Sequence, residues 1–349
     1  MSPSLPQILD QQALDHQTLE LADLIASLQT STRILHKQDI QTAAEALGQT
    51  VWSPAKQPVR LGDDCAAIPD GNGYLLLAAE GIWPQFVERS PWFAGWCAVM
   101  VNLSDIAAMG GEAIALVDAL WSRSVNDTQL IWAGMQAAAQ AYGVPIVGGH
   151  TNCHSDYAGL AVAVMGRAQQ LITSFAAVPG DALMMVVNMD GAYYGDYPFW
   201  NAATEANPQQ LRAHLALLPK LAERGLAHAG KDISMGGLAG TLLMLCEASE
   251  CGAVLNLDQV PRPDGVSWQK WLTSFPSYGF LLSVPPENVL AVAALFKEQN
   301  LVCQPVGNVI EGSQVFLQQA NAQQFFWDLE CALTGFCQAQ RKKTHYRKP

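Results

Sequence analysis

Two adjacent acids, Asp63 and Asp64, follow Gly62 in the run Arg60-Leu-Gly-Asp-Asp-Cys-Ala-Ala-Ile68, and a third, Asp105, lies in an apolar stretch from Pro91 to Met109. Neighbouring carboxylates repel; at about 4 Å and an effective dielectric near 20 the cost is roughly 4 kcal/mol. A carboxylate on a helix that must be buried also loses its hydration unless a positive group meets it. A cation offsets both costs, and an all-oxygen ligand set suits magnesium carrying phosphates. The chemistry these residues suggest is phosphoryl transfer from Mg-ATP, with Asp63, Asp64, Glu80 and Asp105 as metal ligands. The plainer alternative makes Asp64 a helix cap and Asp105 a structural hydrogen-bond acceptor. In a regular strand Asp63 and Asp64 point to opposite sides, so either Gly62 bends the chain or the two acids serve different metals.

Phosphates also need backbone N–H groups. Val147-Gly-Gly-His-Thr151 follows an expected strand; Gly148 and Gly149 permit close backbone approach, and Thr151 can donate to a phosphate. His150 is a poor magnesium ligand, so its expected roles are phosphate contact or acid–base catalysis, a satisfied core histidine being the alternative. Asn102, three residues before Asp105, shares its helix face and joins the expected nucleotide pocket. Lys231-Asp-Ile-Ser-Met-Gly-Gly237 opens a helix whose free N–H groups form an anion site, with Asp232 read as a catalytic acid and Ser234 as a nucleotide contact; helix capping is the other reading. Gly62 completes the nucleotide-binding set.

Two familiar phosphate loops are excluded. Gly225 to Lys231 matches the start of a P-loop, but Asp232 stands where Ser or Thr should hold the metal, and helix rather than strand precedes it. There is no Gly-x-Gly-x-x-Gly, which leaves a dinucleotide-binding half unsupported. Trp83, Trp92, Trp96, Trp121 and Trp200 are pocket or core residues. Cys153 and His154 beside the glycine turn lack a third, orienting group for nucleophilic catalysis.

The elements that must position these residues alternate between strand and helix. The pattern predicts strands at 74–79, 113–120, 144–147, 160–165, 182–188, 253–257 and 278–284, and helices at 91–109, 127–142, 201–224, 237–248 and 289–299. Ser90-Pro91 supplies a cap and first turn. Two α+β halves meet near residue 175, giving a 1–58 helical extension, domains at 59–175 and 176–320, and a 321–349 tail. The extension carries two apolar stripes, Leu19/Leu21/Leu24/Ile25/Leu28 and Ile40/Ala43/Ala44/Leu47, the second closed by Gly48, and fits a cap on the main body.

Length and composition frame the partners. The chain has 349 residues, half of them hydrophobic, and a net charge of −12, which argues against nucleic acid. A DNA-binding reading of residues 18–50 lacks basic residues. Eight cysteines without a Cys-x-x-Cys pair indicate neither a disulfide framework nor a zinc knuckle. No apolar run reaches membrane length and no signal sequence is visible, so a reduced, cytoplasmic protein with no membrane partner is expected.

Gly62-Asp-Asp-Cys-Ala-Ala, Val101-Asn-Leu-Ser-Asp-Ile-Ala-Ala-Met-Gly-Gly111, Val147-Gly-Gly-His-Thr151 and Asp232-Ile-Ser-Met-Gly-Gly-Leu238 resemble, in order and spacing, the aminoimidazole ribonucleotide (AIR) synthetase superfamily. That group includes thiamine-monophosphate kinase, selenophosphate synthetase and the hydrogenase-maturation carbamoyl dehydratase. Ser249 to Asp258 is similar to the kinase as well. The resemblance implies an α+β, two-domain AIR-synthetase-like fold: an N-terminal domain forming a β-barrel across a homodimer, and a C-terminal α/β domain. It also implies ATP in a cleft at the dimer interface, with Mg2+ on acids at Asp63, Asp64 and Asp105. The departures concern the substrate. Glu80 replaces the family's usual Asp, and His150 is acidic in the kinase but His in selenophosphate synthetase. Met235 replaces a second acid of the kinase, Phe275 to Gly279 replaces its Gly-Gly-Glu-Asp-Tyr segment, and the synthetase's reactive Cys loop and the dehydratase's terminal Cys are missing. The expected function is ATP-dependent phosphorylation of a small polar metabolite; a nucleotide-binding scaffold or sensor that no longer catalyses is the alternative.

Overall fold

The structure, a computed structural model, describes residues 20–47 and 59–336. Helix α1 spans 20–29, followed by α2 (Thr32–Leu35), a 3₁₀ turn at His36–Asp39 and α3 (Ile40–Leu47). The first apolar stripe is buried as a cap: Leu21, Ile25 and Leu28 join Ile34 in a core shared with Leu238 and Leu242 of the C-terminal half. The second stripe is not, for α3 has no buried residue and Leu47 is largely exposed. Leu19 and Gly48 lie outside the described residues.

The first α/β unit contains β1 (Ala66–Asp70), β2 (Gly73–Ile82), α4 (Pro84–Arg89), α5 (Pro91–Ala108), β3 (Glu112–Trp121), α6 (Val125–Tyr142), β4 (Ile146–Asn152) and β5 (Gly159–Ala168). Its sheet runs β1-β2-β5-β3-β4, with only the β3–β4 pair parallel. Strict alternation puts Leu76, Leu116 and Val164 in the core with α5 and α6, and turns Leu77, Val117 and Met165 outward, each at least 42% exposed. Helix α5 is apolar around its whole circumference because it is enclosed: every residue from Phe93 onward is buried. Pro91 opens it as expected, whereas Ser90 makes no cap and its hydroxyl turns to Tyr197 at 3.3 Å. Helices α5 and α6 meet so closely at Gly134 that a Cβ there would lie 1.8 Å from the Trp92 carbonyl oxygen.

The second unit begins with β6 (Ala182–Val187), β7 (Ala192–Tyr193) and β8 (Phe199–Asn201), then α7 (Pro208–Leu215), α8 (Leu217–Glu223), β9 (Ala229–Asp232) and α9 (Gly237–Ser249). It continues with β10 (Gly252–Asn256), α10 (Trp268–Leu272), β11 (Phe275–Pro276), β12 (Gly279–Val284), α11 (Val289–Lys297), β13 (Val302–Ile310), β14 (Gln314–Gln319) and β15 (Ala322–Asp328). Seven strands form one sheet, β15-β14-β10-β13-β6-β12-β9, and β11-β8-β7 form a small one. The large sheet is covered on both faces: Leu183, Met185 and Val187 face α1 and α9, while Met184 and Val186 face α8 and α11. That double burial explains the continuous apolar run in β6. The helix expected over 201–224 is two helices, because Asn207 caps a fresh start at Pro208 and Ala216 breaks the second turn from the third.

Candidate functional site

The two units meet where α5 packs against β9, the edge strand of the large sheet, and a cavity of about 350 Å³ opens there. Gly62, Asp63, Asp64, Glu80, Asp105, Asp232 and Ser234 all line it. Each comes from a different local cause. Gly62 turns the chain with φ +99°, and the ring of Phe336 packs where a side chain would stand. Beyond it the two acids diverge. The Asp63 carboxylate accepts from the Ser174 N–H at 3.1 and 3.2 Å and from the Asp64 N–H at 3.0 Å. Asp64 turns to β9, accepting from the Lys231 ammonium and from the Asp232 N–H at 3.3 Å. Asp105 projects from the buried C-terminal end of α5, and its Oδ2 has no hydrogen-bond partner among the described residues.

Carboxylate oxygens of Asp64, Asp105 and Asp232 lie within 4.8 Å of one another. An orphaned buried oxygen within an all-oxygen donor set fits a hard divalent cation such as Mg2+. Asp232, expected as a catalytic acid, stands in the same group as the expected ligands. Asp63, hydrogen-bonded to Ser174, stands beside it.

Burial dominates the electrostatics. It lifts Asp63 to about 6, with Asp64 adding to the rise, and Asp232 to about 7, again helped by Asp64. Asp105 is pushed well above the carboxylate range by burial and by Asp232. Burial works against the Lys231 ammonium, but the surrounding Asp64, Asp232 and Asp63 outweigh it and hold its proton firmly. Unfolded aspartates ionise near 3.9. Between that value and about 7 the folded chain therefore binds more protons than the unfolded one, and raising the pH removes stability from the metal-free fold. His214, buried and lowered in pKa, acts in the opposite sense over part of that window. A cation needs the ionised acids, so its binding strengthens as they lose protons. The expected result is a Mg2+-induced rise in Tm that grows from about pH 5.5 to about pH 8. Scanning calorimetry with and without Mg2+ checks it; a rise independent of pH would contradict it.

The far wall is apolar and aromatic. Phe86, Phe93 and Phe199 form one contact group with ring centroids 5.1 to 6.4 Å apart, and Trp83, Trp200 and Phe275 complete the lining. Trp92 and Trp96 stack on each other outside the cavity, and Trp121 sits beside His150.

Several expected residues are not brought to the cavity. Strand β4 does not end before the glycines, as the pattern suggested, but runs through Gly148, Gly149, His150 and Thr151, because these residues pair in parallel with β3. They lie on the outer edge of the first sheet, exposed, with three strands between them and β1. Asn102 is fully buried one turn before Asp105; its amide donates to the Ala98 carbonyl at 2.8 Å and its Oδ1 is unpartnered among the described residues. Cys153 and His154 follow β4, also away from the cavity.

Sequence reasoning missed three residues. Lys231 entered only as the end of the rejected P-loop match and the start of the run leading into α9, with no role of its own, although a lysine inside the buried run Ala229 to Ile233 is itself a signal of an ion pair. Lys37 lines the cavity from the N-terminal segment. Asp118, buried on β3 with both carboxylate oxygens unpartnered among the described residues, sits directly beneath Gly149, and burial raises its pKa.

Comparison with known proteins follows the same division of the chain. The family model described as AIR synthase related protein, N-terminal domain, matches residues 62–168, and its C-terminal counterpart matches 178–319. An uncharacterized protein of Synechocystis sp. is 54% identical, over 90% of this chain and 98% of its own. A thiamine-monophosphate kinase of Synechococcus elongatus is 30% identical, over 76% of this chain and 88% of its own. Among solved structures, PurL of T. maritima complexed with ATP superposes with a TM-score of 0.66 at 16% identity over 86% of this chain; the match spans about half, 52%, of that protein. Among the described residues no helix is long and apolar enough to cross a membrane.

Proposed function

Because the chain belongs to the AIR synthase related family, we propose that it transfers a phosphoryl group from Mg-ATP to a small metabolite bound in the α5–β9 cavity. The observation that carries this reading is the convergence of Asp64, Asp105 and Asp232, from a loop, a helix and a strand, within 4.8 Å. Asp105 and Asp232, raised in pKa by burial and by neighbouring acids, are costly to keep beside Asp64, and a cation-dependent reaction gives the cluster a use. Asp64, Asp105 and Asp232, with Glu80 and Asp63 beside them, would hold magnesium, which when bound neutralises phosphate charge. The relative named thiamine-monophosphate kinase and the ATP complex of PurL support ATP as the donor.

The protein's own share is positioning and exclusion of water. Gly62 brings backbone close to the ligand, and Ser234 stands just before α9, where unpaired N–H groups favour an anion. The aromatic wall of Phe86, Phe93 and Phe199 offers faces for a flat ring, so the acceptor that fits best carries its polar group on a flat, apolar body. Asp232, with its carboxyl lifted to about 7, can take or give a proton near neutral pH when no cation holds it.

Leu77, Val117 and Met165 leave the first sheet with an uncovered apolar face, which a second copy of the chain would bury by closing the sheets into a barrel. Gly148, Gly149, His150 and Thr151 would then contact nucleotide only from that dimer interface. The double variant Val117→Glu, Met165→Glu should sediment as a monomer while the native protein sediments at twice that mass; equal masses would remove the dimer from the proposal.

Titration with ATP and Mg2+ tests the function. Saturable binding followed by ADP release with an acceptor supports it; no nucleotide binding at millimolar ATP overturns it. Tight binding without turnover over a broad set of metabolites would favour the scaffold reading, which gains weight from Lys231 already neutralising Asp64.

A further inference from the structure

The cavity contains a second lysine for which the acid cluster supplies no ion pair. Lys37 lies on the 3₁₀ turn His36–Asp39, outside both stretches matched by the family models. It lines the same cavity as Lys231, Asp64 and Asp232 and interacts electrostatically with all three. Lys231 is committed to Asp64. The Lys37 side chain makes no hydrogen bond and no ion pair within 4.0 Å among the described residues. Its methylene stem lies over Gly236, immediately before α9.

The segment that carries it is fixed, not draped. Ile34 is fully buried in the core of the second unit, and Arg33 donates to the Thr273 carbonyl at 2.9 Å. On the other side Gln41 donates to the carbonyls of Ala332 and Leu333 at 2.8 and 3.0 Å. An ammonium held in place at a helix start, facing a cavity and lacking a partner, is arranged to receive an anion. The carboxylates of the same cavity would receive cations, so lysine and acids together suit a metal–phosphate ligand.

Resting on the Mg-ATP reading, we propose that Lys37 is a phosphate-binding residue of this site, delivered by the N-terminal segment. The phosphate it meets belongs either to the nucleotide or to a phosphorylated acceptor; both present the same oxygens to the ammonium.

Calorimetric titrations of the full-length protein with the non-hydrolysable analogue AMPPCP plus Mg2+, with pyrophosphate plus Mg2+, and with adenosine test this in the native protein and in Lys37→Met and Lys37→Arg. A charged hydrogen bond predicts that Lys37→Met weakens AMPPCP by about ten- to a hundredfold, that Lys37→Arg restores most of it, and that adenosine is unaffected. Loss confined to pyrophosphate also supports the assignment and gives the residue to the acceptor's phosphate. If Lys37→Met binds both phosphate ligands as the native protein does, or loses adenosine in equal measure, the lysine is structural and the inference is wrong. If the native protein binds no AMPPCP at all, the Mg-ATP reading fails first and takes this assignment with it. An unchanged Mg2+-induced Tm shift in Lys37→Met confirms that the acid cluster is intact.

Discussion

Replacing Lys231 with methionine should destabilise the metal-free protein by about 3–5 kcal/mol, the usual cost of stripping one partner from a buried ion pair. Both side chains are nearly inaccessible, Lys231 at 5% and Asp64 at 4%. Removing the ammonium leaves Asp64, Asp232 and Asp105 facing one another with no ion-paired cation among the described residues, Lys37 being the lysine that remains in the cavity. The chain can recover part of the loss by protonating them, so the deficit should be smaller at about pH 5.5 than at about pH 8. Added Mg2+ should recover much of the rest, since it occupies the position the ammonium has vacated electrostatically. Asp64→Asn should be the milder change, because Lys231 keeps Asp232 and Asp63 as neighbours. Urea denaturation across pH, with and without Mg2+, measures all of this. A loss for Lys231→Met below about 1 kcal/mol at pH 8 would mean the pair is not the cluster's counter-ion.

Asp105→Asn is expected to separate stability from function. The native carboxyl is forced up in pKa by burial and by Asp232, and its Oδ2 is unpartnered among the described residues. An amide there carries no charge to desolvate and turns an N–H₂ donor toward the neighbouring carboxylates. The metal-free variant should therefore melt at the native temperature or above it. As a ligand it is poorer, and loss of one charged ligand should lower Mg2+-dependent nucleotide turnover by about 10²–10³-fold. A variant that loses stability and activity in proportion would reassign Asp105 to the core.

How far the site could be read from residues alone follows from range. Asp105 was visible because it interrupts an apolar helix and Asp64 because it stands next to Asp63, and both costs need only local sequence to notice. Strands such as β2 and β6 were visible as short apolar runs, whereas β1, β9 and β15 carried no such run and were not expected. The role of Lys231 was hidden: its partner is 167 positions away, and only the packing of the Gly62 loop on β9 joins them. Lys37 was hidden more deeply, since nothing in His36 to Asp39 distinguishes it from a solvated lysine until Ile34 is seen to anchor the segment. The glycines before His150 were read as a loop because Gly disfavours strands. Pairing with β3 overrides that preference and carries them to the sheet edge. Dissection of the pair Asp63–Asp64 needed the observed turn at Gly62, which sends one acid to Ser174 and the other to Lys231.

Crystals grown with Mn2+ and AMPPCP, measured at the manganese absorption edge, test the central claim most directly. The predicted result is an anomalous peak bonded to oxygens of Asp64, Asp105 and Asp232, with the analogue's phosphates on its open side. Manganese found elsewhere, or an empty cluster with Lys231 still paired to Asp64 in the presence of bound nucleotide, would contradict it.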